Sequence, residues 1–191
     1  MLKAIHRVFN NQKARRLLVK LRVPLGLVVF GLLATQMKPE WYYRGLAICL
    51  VGAFLQCWCF ACLKKQRVLA VNGPYGFVRN PMYLARFLLL LGGVIMTANV
   101  WLTAGFTVLY YFYMVNRVAR EEATLTGIFG DEYAAYCRDV PRFLPRLRQH
   151  PAGRLRYWSW ELFHRNNGGR NAGGVVLILA ACWWYVFRLR S

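Results

Sequence analysis

Apolar runs separated by blocks of positive charge leave this chain one economical kind of fold. The runs are Val23 to Met37, Tyr42 to Leu63, Met82 to Val115 and Val175 to Phe187. In a bilayer every backbone polar group must be satisfied internally, and helices do this within one segment. Tyr42 to Leu63 is long enough to cross, interrupted by Arg44 and Gln56. Met82 to Val115 is long enough for two crossings, with a turn expected at Thr97-Ala98-Asn99. Val23 to Met37, broken near its start by Pro24, is short of the roughly 20 residues a span needs, and flanking side chains can snorkel to cover the difference. Val175 to Phe187 is also short and reads either as a fifth span or as a segment packed at the interface. The expected fold is an all-α, multi-pass transmembrane helical bundle with four core spans, a possible fifth C-terminal span and a basic N-terminal interfacial helix.

The charges support this reading. Of 191 residues 58% are apolar, and 26 Lys and Arg stand against seven Asp and Glu, for a net charge of +19. Charged residues make up 17%, where a soluble domain carries about 25% of mixed sign. Such an excess could suit nucleic acid, but the basic residues border apolar runs and form no separate soluble domain. Anionic lipid headgroups fit better, at about 1 kcal/mol for each Lys or Arg near the surface; no nucleic acid partner is expected. Residues 1–22 interleave Lys and Arg with Ile5, Val8, Phe9, Leu17, Leu18 and Leu21, the pattern of a helix lying on headgroups. A charged region this long without a small-residue cleavage site argues against a signal peptide.

Lys and Arg also orient the chain. Residues 1–22 carry seven, the loop after the second run carries Lys64, Lys65, Arg67 and Arg79, and Arg117 to Arg170 carries ten. Lys38 and Arg44 lie on the opposite side, so the three basic regions are expected to face the cytoplasm. A fifth span would put Arg188 and Arg190 outside. The six cysteines lack a nearby His or a matching second pair, so they read as packing residues and no metal site is expected. Residues 116–172 should be polar, with helical pieces at Arg120 to Phe129 and Asp131 to Arg138, breaks at Pro141 and Pro145, and a loop from Asn166 to Gly174.

Two polar clusters fall at the same membrane edge. Gly73-Pro74-Tyr75 makes a turn, and Pro81 suits the first turn of a helix, where its missing N–H is no loss. The short segment between them needs backbone partners other than lipid, which a bound cofactor could supply. The helical hairpin returns Arg117-Val118-Ala119-Arg120-Glu121-Glu122 to that edge. Arg117 and Glu121, four apart, share a helix face; Glu122 lies about 100° further round. By themselves Arg117 and Glu121 read equally as a structural pair one turn apart.

In order, Gly73-Pro74-Tyr75, Arg79-Asn80-Pro81-Met82-Tyr83, a hairpin, Arg117 to Glu122, Phe129-Gly130-Asp131-Glu132-Tyr133 and Val140-Pro141-Arg142-Phe143-Leu144-Pro145 resemble the integral-membrane methyltransferase family. Its members include isoprenylcysteine carboxyl methyltransferases and phospholipid N-methyltransferases. The resemblance covers roughly residues 65–146 and implies an S-adenosylmethionine cofactor. It implies that Val68, Leu69 and Ala70 lend backbone contacts, that Tyr75, Asn80, Pro81, Met82, Tyr83 and Glu121 bind the cofactor, and that Arg117 contacts the methyl acceptor. Two departures stand out: Asn80 replaces a usual His, leaving hydrogen bonding without imidazole chemistry, and Arg86 replaces a commonly small residue. Arg86 reads either as a snorkelling side chain or as a phosphate contact.

The chain is thus expected to divide into a basic amphipathic helix (1–22), a methyltransferase core (23–146) and a basic linker with a C-terminal apolar segment (147–191). The acceptor is a membrane lipid or lipidated substrate. Arg117 favours an acidic one, carboxylate or phosphate, since a guanidinium beside an ammonium would hinder it. The alternatives are phospholipid amine N-methylation, a non-catalytic membrane scaffold of the same fold, and a small transporter. Oligomeric state is not legible.

Overall fold

The computed structural model describes residues 12–64 and 68–189. Residues 1–11, Lys65, Arg67 and Arg190, which entered the expected interfacial helix and the charge count, lie outside the described residues. Among the described residues every regular element is helical: α1 Gln12–Gln36, α2 Pro39–Cys62, a 3₁₀ turn Gly73–Gly76, α3 Pro81–Ile95, α4 Val100–Asp139, α5 Trp160–Arg165, and α6 Gly168–Trp184, ending in a π turn Tyr185–Leu189.

Helix α1 runs unbroken through Pro24, so the expected border between residues 22 and 23 falls inside it. Proline deletes one hydrogen bond, and the turn around it carries the rest. Helix α2 starts at Pro39, three residues before the apolar run, because Pro at the first helical position forfeits no bond. Helices α2 and Gly168–Leu189 are long and apolar enough to cross a membrane; Val23–Gln36 and α3 are apolar but shorter.

The core is the α2–α3 pair, joined by small residues. A methyl on Gly92 would stand 2.5 Å from Cys49 Sγ, and one on Gly52 would stand 2.6 Å from the Leu89 nitrogen. Gly45, Cys49 and Gly52 on α2 therefore meet Ala85 and Gly92 on α3 backbone to backbone, the small-residue packing that replaces hydrophobic collapse in lipid. The turn after α3 falls where expected, with Ala98 left-handed at φ 55° and the Asn99 side chain capping α4 by accepting from Leu102 N at 2.9 Å.

One expectation holds and one is corrected. Val100–Asp139 is two helical stretches that meet at Gly130, whose φ of 49° and ψ of −121° are non-helical. The break between Arg120 to Phe129 and Asp131 to Arg138 therefore falls where expected, with the first piece continuous with the hairpin helix. Asn166 to Gly174 is not a loop: Asn166 and Asn167 form the corner and α6 starts at Gly168 despite its glycines. Each glycine costs a helix about 1 kcal/mol, so packing must sustain it. Gly168 sits directly on the Phe163 ring, and Tyr42 on α2 donates to the Leu179 carbonyl at 2.7 Å. Asn166 Nδ2 also donates to Phe60 and Leu63 carbonyls at 2.9 and 2.8 Å, closing the C-terminus of α2.

Candidate active site

At the end of the bundle where α2 finishes and α3 begins, a cavity of about 460 Å³ opens between Leu63, Lys64, Val68, Leu69 and Ala70, the α3 entry and the middle of α4. Its position is set by the 72–80 loop. Gly73 has φ +56°, and a methyl there would stand 2.7 Å from Cys62 Sγ and 2.8 Å from Trp58 Nε1, so both conformation and space demand glycine. This turns Tyr75 inward, buried against Cys59 and Cys62. Burial raises the Tyr75 phenol well above its ordinary pKa.

The loop backbone finds its partners in the chain itself. Residues 141–154 run across it as a strap: Arg79 N donates to the Pro141 carbonyl at 2.9 Å, Arg146 N to Phe77 at 3.0 Å, His150 N to Gly76 at 2.9 Å and Gly73 N to Arg154 at 2.9 Å. The Tyr136 hydroxyl adds a bond to the Tyr75 carbonyl at 2.7 Å. The expectation that a cofactor would satisfy this backbone is thus corrected. The segment after Pro141 does so, and that gives part of residues 147–191 a structural role.

Tyr83 organises the cavity wall. Its hydroxyl donates to Glu121 Oε2 at 2.6 Å and accepts from Arg117 Nε at 3.3 Å. The two α4 side chains that share a face are therefore bridged through α3. The Tyr83 carbonyl accepts from the Tyr110 hydroxyl at 2.8 Å, which fixes α3 against α4 just below the site. Of the residues the resemblance implies, Val68, Leu69, Ala70, Tyr75, Asn80, Met82, Tyr83, Arg117 and Glu121 all line this one cavity. Pro81 does not; it is fully buried at the start of α3.

Glu122 was not among the expected site residues, yet it ties the site together. The carboxylate is buried and faces Arg142 Nη2 at 2.5 Å, Asn80 Nδ2 at 3.2 Å and Arg79 Nη1 at 3.5 Å. Loop, strap and α4 thus meet on one charge. Burial opposes the Arg79 charge, but bonding to Cys137 and the Glu122 field more than offset this and raise its pKa. Asn80 precedes α3 without capping it; its amide is turned to Glu122 and to the Arg142 carbonyl at 3.4 Å. Two adjacent acids in a chain with seven were the available signal for Glu122, but its partner Arg142 lies twenty residues on and is set by the bend of α4.

A second cavity, about 400 Å³ and almost wholly apolar, lies beside the first, between α3, α4 and the strap. Leu84, Phe87, Tyr111, Met114 and Phe143 line it, and Asn80 borders both.

Residues 41–132 match the phospholipid methyltransferase family. The chain is 32% identical over 84 residues to the protein-S-isoprenylcysteine O-methyltransferase of Schizosaccharomyces pombe, covering 44% of this chain and 36% of the relative. It is 32% identical over 135 residues to a nickel-cobalt-cadmium resistance protein of Alcaligenes xylosoxydans xylosoxydans, covering 66% of this chain and 63% of the relative. It is 38% identical over 74 residues to methanethiol S-methyltransferase 1 of Bradyrhizobium diazoefficiens, covering 39% and 25%. The chain therefore spans about a third of the length of the first of these relatives, a quarter of the third and under two thirds of the second. No solved structure matches it. The family resemblance drawn from the motifs holds.

Proposed function

We propose that this chain, related to the phospholipid and isoprenylcysteine methyltransferases, transfers a methyl group from S-adenosylmethionine to a lipophilic acidic acceptor taken from the bilayer. The observation that carries this is the Tyr83 hydroxyl holding Arg117 and Glu121 together on the wall of a cavity lined by nine of the ten implied residues.

The cavity suits the cofactor in size, within the roughly 300–1,000 Å³ of small-molecule sites. Its chemistry suits it too: the Glu121 carboxylate offers a counter-charge for a cation, and the buried Tyr75 adds an aromatic wall. When bound, S-adenosylmethionine supplies an electrophilic methyl on a sulfonium. Methyl transfer is an in-line displacement, so the protein's task is alignment and exclusion of water. Val68 to Ala70 and the 72–80 loop hold the cofactor in this reading, and the strap closes the loop against solvent. Arg117 presents a planar fork to an acceptor oxyanion, which needs no base to attack. The apolar cavity beside the site takes the acceptor's hydrocarbon chain, and Asn80 marks where tail and reacting head meet.

The proposed topology has four core spans, with the α1 apolar part, α2, α3 and the first half of α4 in the bilayer and Gly168–Leu189 as a fifth crossing. The site and the anionic headgroups its arginines meet are cytoplasmic. Phospholipid amine N-methylation is the second reading, favoured by the family whose pattern residues 41–132 carry.

One experiment separates them. Purified protein in nanodiscs receives methyl-labelled S-adenosylmethionine and a membrane lipid extract. A carboxylic methyl ester releases its label as methanol in mild base, whereas a methyl phosphodiester or an N-methyl group does not. Base-labile label in the lipid phase supports a carboxylate acceptor. Base-stable label recovered on the amine after full acid hydrolysis supports N-methylation, and base-stable label absent from the amine supports a phosphate acceptor. No lipid-phase label sinks the methyltransferase reading.

A further inference from the structure

Arg86 lies one turn into α3, where an unpaired charge needs a reason. Cations near a membrane edge usually escape to the headgroups. This guanidinium instead joins the cavity wall, with Nη2 3.5 Å from Met82 Sδ and Cζ 5.8 Å from the centre of the Tyr83 ring. Met82 Sδ is a weak acceptor and the ring offers a π face, so neither is a counter-ion. Among the described residues no ion pair forms at Arg86.

The charge balance of the cavity leads the same way. Its described wall carries Lys64, Arg79, Arg86 and Arg117 against one carboxylate, Glu121. Arg79 is answered by Glu122 from behind, and Glu121 takes the Tyr83 hydroxyl. Lys64, Arg86 and Arg117 remain, and of these the two arginines meet at Tyr83, one over its ring and the other at its hydroxyl.

We propose that Arg86, over the Tyr83 ring, and Arg117, at its hydroxyl, form a two-guanidinium seat for a carboxylate or phosphate oxyanion of a bound reactant. Guanidinium forks match the planar spacing of such oxygens, and both side chains are exposed at the cavity wall, where they can turn to a bound oxyanion. Arg86 is then a specificity-determining residue. The inference rests on the methyltransferase reading, which supplies two sources of oxyanion: the acceptor's headgroup and the carboxylate of the cofactor's amino-acid part.

The test uses the full chain in phosphatidylcholine nanodiscs, wild type and Arg86→Met, with calorimetric affinities for four probes: dodecyl phosphate, dodecanol, S-adenosylhomocysteine and its decarboxylated analogue. Wild type should bind dodecyl phosphate more tightly than dodecanol by about tenfold or more. Loss of that preference in Arg86→Met, with S-adenosylhomocysteine unchanged, places the oxyanion on the acceptor. A drop of similar size for S-adenosylhomocysteine but not for its decarboxylated analogue places it on the cofactor. If every affinity in folded Arg86→Met equals wild type, Arg86 is a snorkelling residue and the proposal fails. Should Arg86→Met not fold, Arg86→Gln takes its place with the same readouts. Wild type that binds no S-adenosylhomocysteine would sink the methyltransferase reading instead, and the dodecyl phosphate comparison would still judge the seat.

Discussion

At the scale of single residues the site depends on two neighbouring carboxylates with different work. Glu121 meets the Tyr83 hydroxyl on the open wall, while Glu122 is buried among Arg79, Asn80 and Arg142. Glu122→Gln removes the charge and leaves Arg79 beside an uncharged amide. Breaking a fully buried pair costs about 3–5 kcal/mol, but Arg142 is 43% exposed and can turn to water, so a loss of about 1–3 kcal/mol is expected. Thermal unfolding in detergent checks this; an unchanged midpoint would show that Glu122 does not tie loop to strap. Arg117→Lys keeps a charge but loses the planar fork. Turnover should fall by about tenfold or more, while affinity for S-adenosylhomocysteine stays near wild type. Collapse of that affinity with turnover preserved would assign Arg117 to the cofactor and remove the main support for an acidic acceptor. The Arg117–Glu121 spacing was legible in the sequence. The bridge between them was not, because it comes from Tyr83, thirty-four residues earlier.

At the scale of elements, the strap and the α2–α3 seam make separate predictions. Arg146 N donates to the Phe77 carbonyl at 3.0 Å, so Arg146→Pro deletes one strap bond and restricts the residue before it. Amide exchange of residues 73–80 should quicken and cofactor affinity should fall, with helical content unchanged. Unaltered exchange in that loop would mean that the strap does not hold it. In the seam, Gly92→Ala sets a methyl 2.5 Å from Cys49 Sγ and 2.7 Å from Cys49 N. Backbone lies on that side, so the helices must part, at a cost of about 1–3 kcal/mol. Gly93→Ala, one residue on with open space at its Cβ, should be neutral or slightly stabilising by the same melting assay. Equal melting of the two variants would contradict the close seam.

At the scale of the whole molecule, the testable matter is which side the site faces. The straight part of α4, Val100 to Phe129, is about 45 Å long against a hydrocarbon thickness of about 30 Å, so its C-terminal end extends beyond the bilayer. In the proposed topology the Lys and Arg bias places that end, the loop and the strap in the cytoplasm and the 96–99 turn outside. In intact cells, Asn99→Cys in a background lacking the native cysteines should react with a membrane-impermeant maleimide. Protection there, with labelling in inverted vesicles, would reverse the orientation and move the proposed site to the other compartment.

Hydrophobic periodicity and turn residues are local signals, and what they can determine was determined. The helical class, the hairpin turn at Thr97 to Asn99, the Pro81 start of α3 and the shared face of Arg117 and Glu121 all follow from neighbours within a few positions. The errors came where a distant segment decided the outcome. Glycines at 168, 169, 173 and 174 argue for a loop until Gly168 packs on Phe163 and Tyr42 of α2 ties the same helix at Leu179. The 72–80 loop looks short of hydrogen-bond partners until residues 141–154 lie across it. Glu122 looks like a spare acid until the bend at Gly130 returns Arg142 to it. Each is a contact between parts far apart in the chain, and only the closing of the bundle, which trades lipid and water for packed neighbours, decides which polar groups find one another.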